Sequence, residues 1–159
     1  MMKENLLKYA RYNQWANNIL LTQLTTNAPE FIEKEIASSY PTIKHTLLHI
    51  ADAELIWYSR LINISFPKLP SLTNQSIVCI KDADKILIDY ISSKGNDYFK
   101  QFTTYKNMKG EEFTTVNDAI FMHVFNHSTF HRGQIVSMLR TAGYTNQIES
   151  SDFISYERI

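Results

Sequence analysis

His127 and His131 stand four residues apart in the segment His123-Val-Phe-Asn-His-Ser-Thr-Phe-His-Arg-Gly-Gln134. On a helix that spacing puts both imidazoles on one face with their Cβ atoms about 6 Å apart, close enough to clasp one ion. Ile120, Val124, His127, His131, Gln134 and Met138 recur at alternating steps of three and four, the inward stripe of a bundle helix. The two histidines therefore take core positions. Burying an imidazole nitrogen without a partner costs about 1–3 kcal/mol. The pair is either bonded to neighbouring carboxylates or carbonyls, or it ligates a metal, and the i, i+4 spacing favours the metal. His123 adds a third turn on nearly the same flank as a ligand, an orienting donor or a rim residue, and helical phase does not choose among these.

A third ligand comes from an earlier helix. At 100° per residue His49 projects to the edge of an apolar arc, between Ala53 and Ile56, where it can face a cavity beside the core. Asp52 lies about one helical step from that flank, and Glu54 points into the apolar arc itself. His49, His127 and His131 would close one face of an ion and leave other positions open. Neutral imidazole suits zinc, nickel, copper or iron(II). An open position suits a reactive centre, which holds a thiol as its thiolate or lowers the pKa of water toward about 7. No rival cluster stands out: the chain has no cysteine pair, no His-Glu-x-x-His helix, no glycine-rich phosphate loop and no Glu-x-x-His pair of the di-iron type.

Helices must position these groups. Leu6, Tyr9, Asn13, Ala16, Leu20 and Leu24 predict a first helix over about 3–24, with Asn13 the polar member needing a partner. Pro41 predicts the start of a second helix, preceded by Ser39 or Tyr40, which runs to about Ile64 and buries Ile43, Leu47, Ile50, Trp57, Leu61 and Ile64. Residues 65–81 read as a long connection. A third helix is expected from Asp82 to about Phe102, burying Leu87, Ile91, Tyr98 and Phe102, with Gly95 weakening or kinking it. The threonine and aromatic residues around Gly110 predict a small β-hairpin. The fourth helix then starts near 115–118 and ends at Gly143. Phe153, Ile154 and Tyr156 give the final segment enough apolar surface to dock.

The 159 residues fit one domain, 1–159, of the all-α class. Sixteen basic residues balance sixteen acidic ones, which argues against a broad nucleic-acid or membrane footprint. No apolar run approaches the length of a signal sequence core or a membrane span. With Cys79 as the single cysteine, no intramolecular disulfide is possible, and the cytoplasm is the expected compartment. In the apolar Ile77-Val-Cys-Ile80 run, that thiol reads as a small structural hydrophobe.

Tyr12-Asn-Gln-Trp-Ala-Asn-Asn, Leu48-His49-Ile-Ala-Asp52-Ala-Glu54, Asn126-His127-Ser-Thr-Phe-His131-Arg-Gly-Gln134 and Ser151-Asp-Phe-Ile-Ser-Tyr resemble, in order and over nearly the whole chain, the DinB/YfiT-like metalloenzymes. The Asn-His-x-x-x-His-Arg-Gly-Gln segment is the specific part. The resemblance implies a four-helix bundle, a three-histidine site carried onto His49, His127 and His131, nickel or zinc as the divalent ion, and a homodimer. Characterised members of that family include S-transferases and isomerases that use low-molecular-weight thiols, as well as metal-dependent hydrolases.

Three readings stay open: an S-transferase directing a bound thiolate at an electrophilic small molecule, a hydrolase, and a non-catalytic metal-binding bundle. Asp52 and Glu54 are candidates for proton transfer or for orienting a ligand. Asn13, His123 and Gln134 are pocket or orienting candidates. Arg132 is expected as a surface or interface charge, with contact to an anionic substrate group as the alternative. Trp15 and Trp57 are expected in the core or a pocket wall.

Overall fold

Leu6, Ala10, Asn13, Ala16, Asn17 and Leu20 are buried at returning steps of three and four, so winding this segment as a helix gathers a single inward stripe. The structure, a computed structural model, describes residues 2–64 and 77–159, and α1 spans Met2–Thr22. The chain then widens into a π turn over Gln23–Asn27, so the α-helix stops short of Leu24. Thr25 Oγ1 donates to the Leu21 carbonyl at 2.8 Å there, a side chain competing for helical acceptors.

Helix α2 spans Ile43–Leu61. Its cap is Thr42, whose Oγ1 accepts the His45 amide at 3.2 Å; Ser39 and Tyr40 lie further out. Ile64 falls beyond the helix, after Asn63 turns to a φ of 54°, and is 43% exposed rather than buried. Of the expected 65–81 connection, residues 65–76 lie outside the described residues. Cys79 to Lys81 already belong to α3, Cys79–Ser93.

Expected to continue to Phe102, α3 instead ends at Ser93. Gly95 adopts an extended conformation and a short turn, Asn96–Lys100, follows. Phe102 opens strand β1, Phe102–Lys106, and is 69% exposed. β1 pairs antiparallel with β2, Glu112–Val116, in the register Phe102 to Val116, so the expected hairpin is present. Asn117 ties it down: its Oδ1 accepts from Thr103 Oγ1 at 2.6 Å and its Nδ2 donates to the Tyr98 carbonyl at 2.9 Å. Helix α4, Asn117–Thr141, ends before Gly143, whose φ of 102° is the left-handed conformation a helix stop requires.

In the resulting helical bundle α1 packs on α3 and α4, and α2 packs on the same two helices. One core cluster centres on Leu24, Ile43, Leu47, Ile50, Ile80 and Ile135, the other on Leu87, Ile91, Phe99, Ile120 and Phe121. Cys79 is buried in the first, and burial pushes its thiol up to about 11. Helix α5, Phe153–Tyr156, lies against α1. Phe153 stacks on Tyr9 at 5.0 Å, Tyr156 sits 5.6 Å from Trp15, and Tyr12 Oη donates to the Ser151 carbonyl at 2.9 Å. Ile154, expected to dock with them, is 56% exposed. No described helix is long and apolar enough to cross a membrane.

Candidate metal centre

Packing α2 against α4 brings three imidazoles to one point. His127 Nε2 lies 3.0 Å from His49 Nε2 and 3.1 Å from His131 Nε2. The three candidate ligand atoms fall within 4.8 Å of one another. Nitrogens bonded to one ion at about 2.0–2.1 Å sit roughly 2.9 Å apart at a right angle and roughly 3.4 Å apart at the tetrahedral angle, so the two spacings about His127 suit shared ligation. Facing Nε2 atoms cannot all satisfy one another, because each neutral ring offers either a proton or a lone pair at that atom. One ion satisfies all three.

The protonation states favour the same fit. Burial, then the neighbouring His131, His49 and His123, pushes His127 down to about 4. Burial and His131 also lower His49. Both rings are therefore neutral near pH 7, the form that ligates. Gln134 Oε1 accepts from His131 Nδ1 at 2.7 Å, which leaves the lone pair on Nε2. His127 Nδ1 is buried with no hydrogen-bond partner among the described residues.

Aromatic rings wall the site. Tyr40 stacks on His49 at 4.7 Å and meets His131 at 6.0 Å. Phe130 meets His131 edge to face with ring centroids 5.1 Å apart, although Phe130 is itself largely exposed. Beside them Ser38, Phe130, Gln134 and Met138 border a groove of about 320 Å³. Asp52 follows His49 by one turn and is half-buried, and desolvation raises its carboxyl above the usual range. His123 is exposed and meets Trp57 edge to face at 5.1 Å, with its ring 6.0 Å from that of His127. It is not among the three converging histidines.

Glu54 and Asn13 belong to a buried network between the helices. Asn13 Nδ2 donates to Glu54 Oε1 at 2.8 Å and to Asp84 Oδ1 at 2.9 Å, and Asn17 Nδ2 reaches Asp84 at 3.0 Å. Ser128, next to His127 in sequence, donates to Glu54 Oε1 at 3.1 Å. Arg132 closes the network, and the expectation of a surface charge is overturned: it is 3% exposed. Its guanidinium donates to Asn13 Oδ1 at 2.7 Å, Asn17 Oδ1 at 2.9 Å and Thr129 Oγ1 at 2.8 Å. Two carboxyls share one cation here. Burial, with Asp84 nearby, raises Glu54 well above the usual range, and burial pushes Asp84 up to about 7. Asn17, Asp84 and Tyr40 were not singled out from the sequence. Asn17 and Asp84 lie on inward faces and carried a readable signal, whereas Tyr40 precedes its helix in a stretch without periodicity.

Comparison with known proteins agrees with this geometry. The chain is 26% identical over 156 residues to Protein DinB of Bacillus subtilis (strain 168), covering 91% of this chain and 90% of that protein. The model of the DinB family matches residues 1–158. An i, i+4 histidine pair on α4, a third histidine facing it from α2 and a family match along almost the entire chain together place this protein in the DinB family.

Proposed function

We propose that this chain is a divalent-metal-dependent enzyme, with His49, His127 and His131 as the ligands, acting as an S-transferase on a low-molecular-weight thiol and an electrophilic small molecule. The observation that carries the reading is the convergence of three Nε2 atoms, with His127 Nε2 at 3.0 and 3.1 Å from the other two and His131 oriented by Gln134. Nickel or zinc bound there supplies Lewis acidity, which favours the ionised, nucleophilic form of a thiol. The chain's own residues do the rest. Gln134 fixes His131, Tyr40 shields the outer faces of His49 and His131 from water, and the groove along Phe130 and Met138 takes the apolar part of a substrate. Asp52, one turn from His49, is the proton acceptor in this reading. Glu54 and Asn13 position α2 and α4 from behind, and His123 borders the pocket. The same reading takes residues 1–159 as one four-helix-bundle domain that acts in the cytoplasm as a homodimer.

Asp52 also supports a hydrolase. A carboxyl raised by desolvation beside the triad is poised to accept a proton from water as readily as from a thiol. Metal content by plasma mass spectrometry, on protein purified without a histidine tag, tests the centre. One ion per chain, lost in folded His49→Ala, His127→Ala and His131→Ala variants, is the expected result. Electrophile consumption that needs both the thiol and the ion then separates the transferase from ester or amide hydrolysis without a thiol. Binding without either turnover would leave a non-catalytic bundle.

A further inference from the structure

Arg60 lies eleven residues after His49 on α2. Eleven steps of 100° return to within about 20° of the same face, about 16 Å further along the axis. Its guanidinium is held over two rings, 4.3 Å from the Trp57 centroid and 5.0 Å from that of Tyr105. Those rings pack edge to face at 4.9 Å and join α2 to the hairpin. Stacking fixes the plane of a guanidinium and leaves its edge donors free to make paired bonds to an oxyanion. No carboxylate lies within ion-pair distance of Arg60 among the described residues, and residues 65–76, which follow it in the chain, contain neither Asp nor Glu. Partial burial lowers Arg60 from its ordinary range, as expected of a cation that has lost water without gaining an anion.

The space beside it is a pocket of about 360 Å³, lined by Arg60, Asn63, Thr104, Tyr105 and Lys106 among others. Among the described residues its lining holds two cations and no acid. Lys106 faces Glu112 across the strand pair, so Arg60 is the cation without an acidic neighbour. A run of ring contacts leads from Tyr105 in the pocket lining to Trp57 at 4.9 Å, on to His123 at 5.1 Å and from there to His127 at 6.0 Å. The charge of Arg60 reaches along that run, where it adds to burial in lowering His123.

We infer that the Arg60 pocket is an oxyanion subsite, binding the carboxylate or phosphate of an elongated small-molecule substrate whose reacting end lies at the three histidines. The substrate assignment rests on the proposed metal-dependent activity, whereas the binding of an anion does not. Selection then works by charge and reach: a neutral or short molecule meets the triad without engaging Arg60.

The test uses the full chain, metal-free and zinc-loaded, titrated separately with succinate and inorganic phosphate while the Arg60 Nε and Trp57 indole resonances are followed by heteronuclear NMR. Saturable shifts in both are expected. Arg60→Met keeps an apolar stem on Trp57 and should weaken binding by about tenfold or more, the equivalent of one charge-assisted pair. Lys106→Met should weaken it only about twofold to threefold. Circular dichroism and metal content of each variant, unchanged from wild type, exclude misfolding as the cause. The tighter of the two anions identifies the group recognised. No saturable shift, or equal affinity in Arg60→Met, overturns the subsite. Arg60-dependent anion binding in a chain that takes up no metal keeps the subsite and sinks the metal reading; metal uptake without anion binding does the reverse.

Discussion

Gln134 Oε1 accepts the Nδ1 proton of His131 at 2.7 Å, three residues along the same helix. That bond decides which nitrogen of His131 faces His127, and removing it frees the ring to rotate or to take the other tautomer. Gln134→Leu is expected to keep its fold and to bind zinc or nickel about 10- to 100-fold more weakly in competition with a chelator. An unchanged affinity would show that packing against Tyr40 is enough to orient the ring.

The triad links α2 to α4, so an ion bound there stabilises the folded bundle over the unfolded chain. At a free concentration near 100 times the dissociation constant the gain is about 2.7 kcal/mol, or roughly 5–10 °C in melting temperature for a chain of this size. Wild type should show that shift by calorimetry with zinc or nickel, and His127→Ala should show none.

Glu54 and Asp84 hold their protons to higher pH in the fold than in the unfolded chain, where carboxyls titrate near about 4. Above about pH 4 these two carboxyls therefore bind more protons in the folded chain than in the unfolded one, and their contribution to stability falls as pH rises, with Asp84's share lost by about 7. Glu54→Gln copies the protonated shape and removes Glu54's part of the fall. Urea denaturation between about pH 5 and 8 should show the stability of the variant relative to wild type rising with pH. The lowered histidines slope the opposite way in both proteins and cancel in the difference. Matching profiles would mean that Glu54 is ionised in the fold.

Arg132 is the cation of the same network, and its loss leaves the buried amide oxygens of Asn13 and Asn17 without their donor. Arg132→Met should destabilise by about 2–5 kcal/mol, at about 1–3 kcal/mol for each unsatisfied buried acceptor, read as a lowered urea midpoint. Arg132→Lys keeps the charge but cannot reach Asn13, Asn17 and Thr129 together, and should fall between the two.

The histidine pair was legible because an i, i+4 relation is local: helical phase alone puts His127 and His131 on one face. His49 was legible in its placement at the edge of the α2 arc, though its convergence on the pair needed the packing of two helices. Arg132 was misread for a related reason. Its acceptors, Asn13 and Asn17, lie 119 and 115 residues away, and nothing near Arg132 in sequence announces them. The hairpin showed in its turn and threonine chemistry, whereas the end of α3 did not, because apolar Tyr98, Phe99 and Phe102 prolong a helix-like pattern past the break at Gly95. Phe99 stays fully buried by way of the short turn instead.

The aromatic strip of Tyr9, Tyr12 and Trp15 is made well before its cover, Ser151 to Tyr156, which comes some 139 residues later, as the Tyr12 to Ser151 bond spans. At about 5–20 residues per second a ribosome leaves that strip bare for roughly 7 to 28 s. For that interval the apolar side of α1 lacks the cover that Phe153 and Tyr156 give it. Docking of the four-residue α5 onto that strip has to wait for its synthesis, and so short a helix opens readily, so the amides of Phe153 to Tyr156 should exchange with solvent well before those of α1.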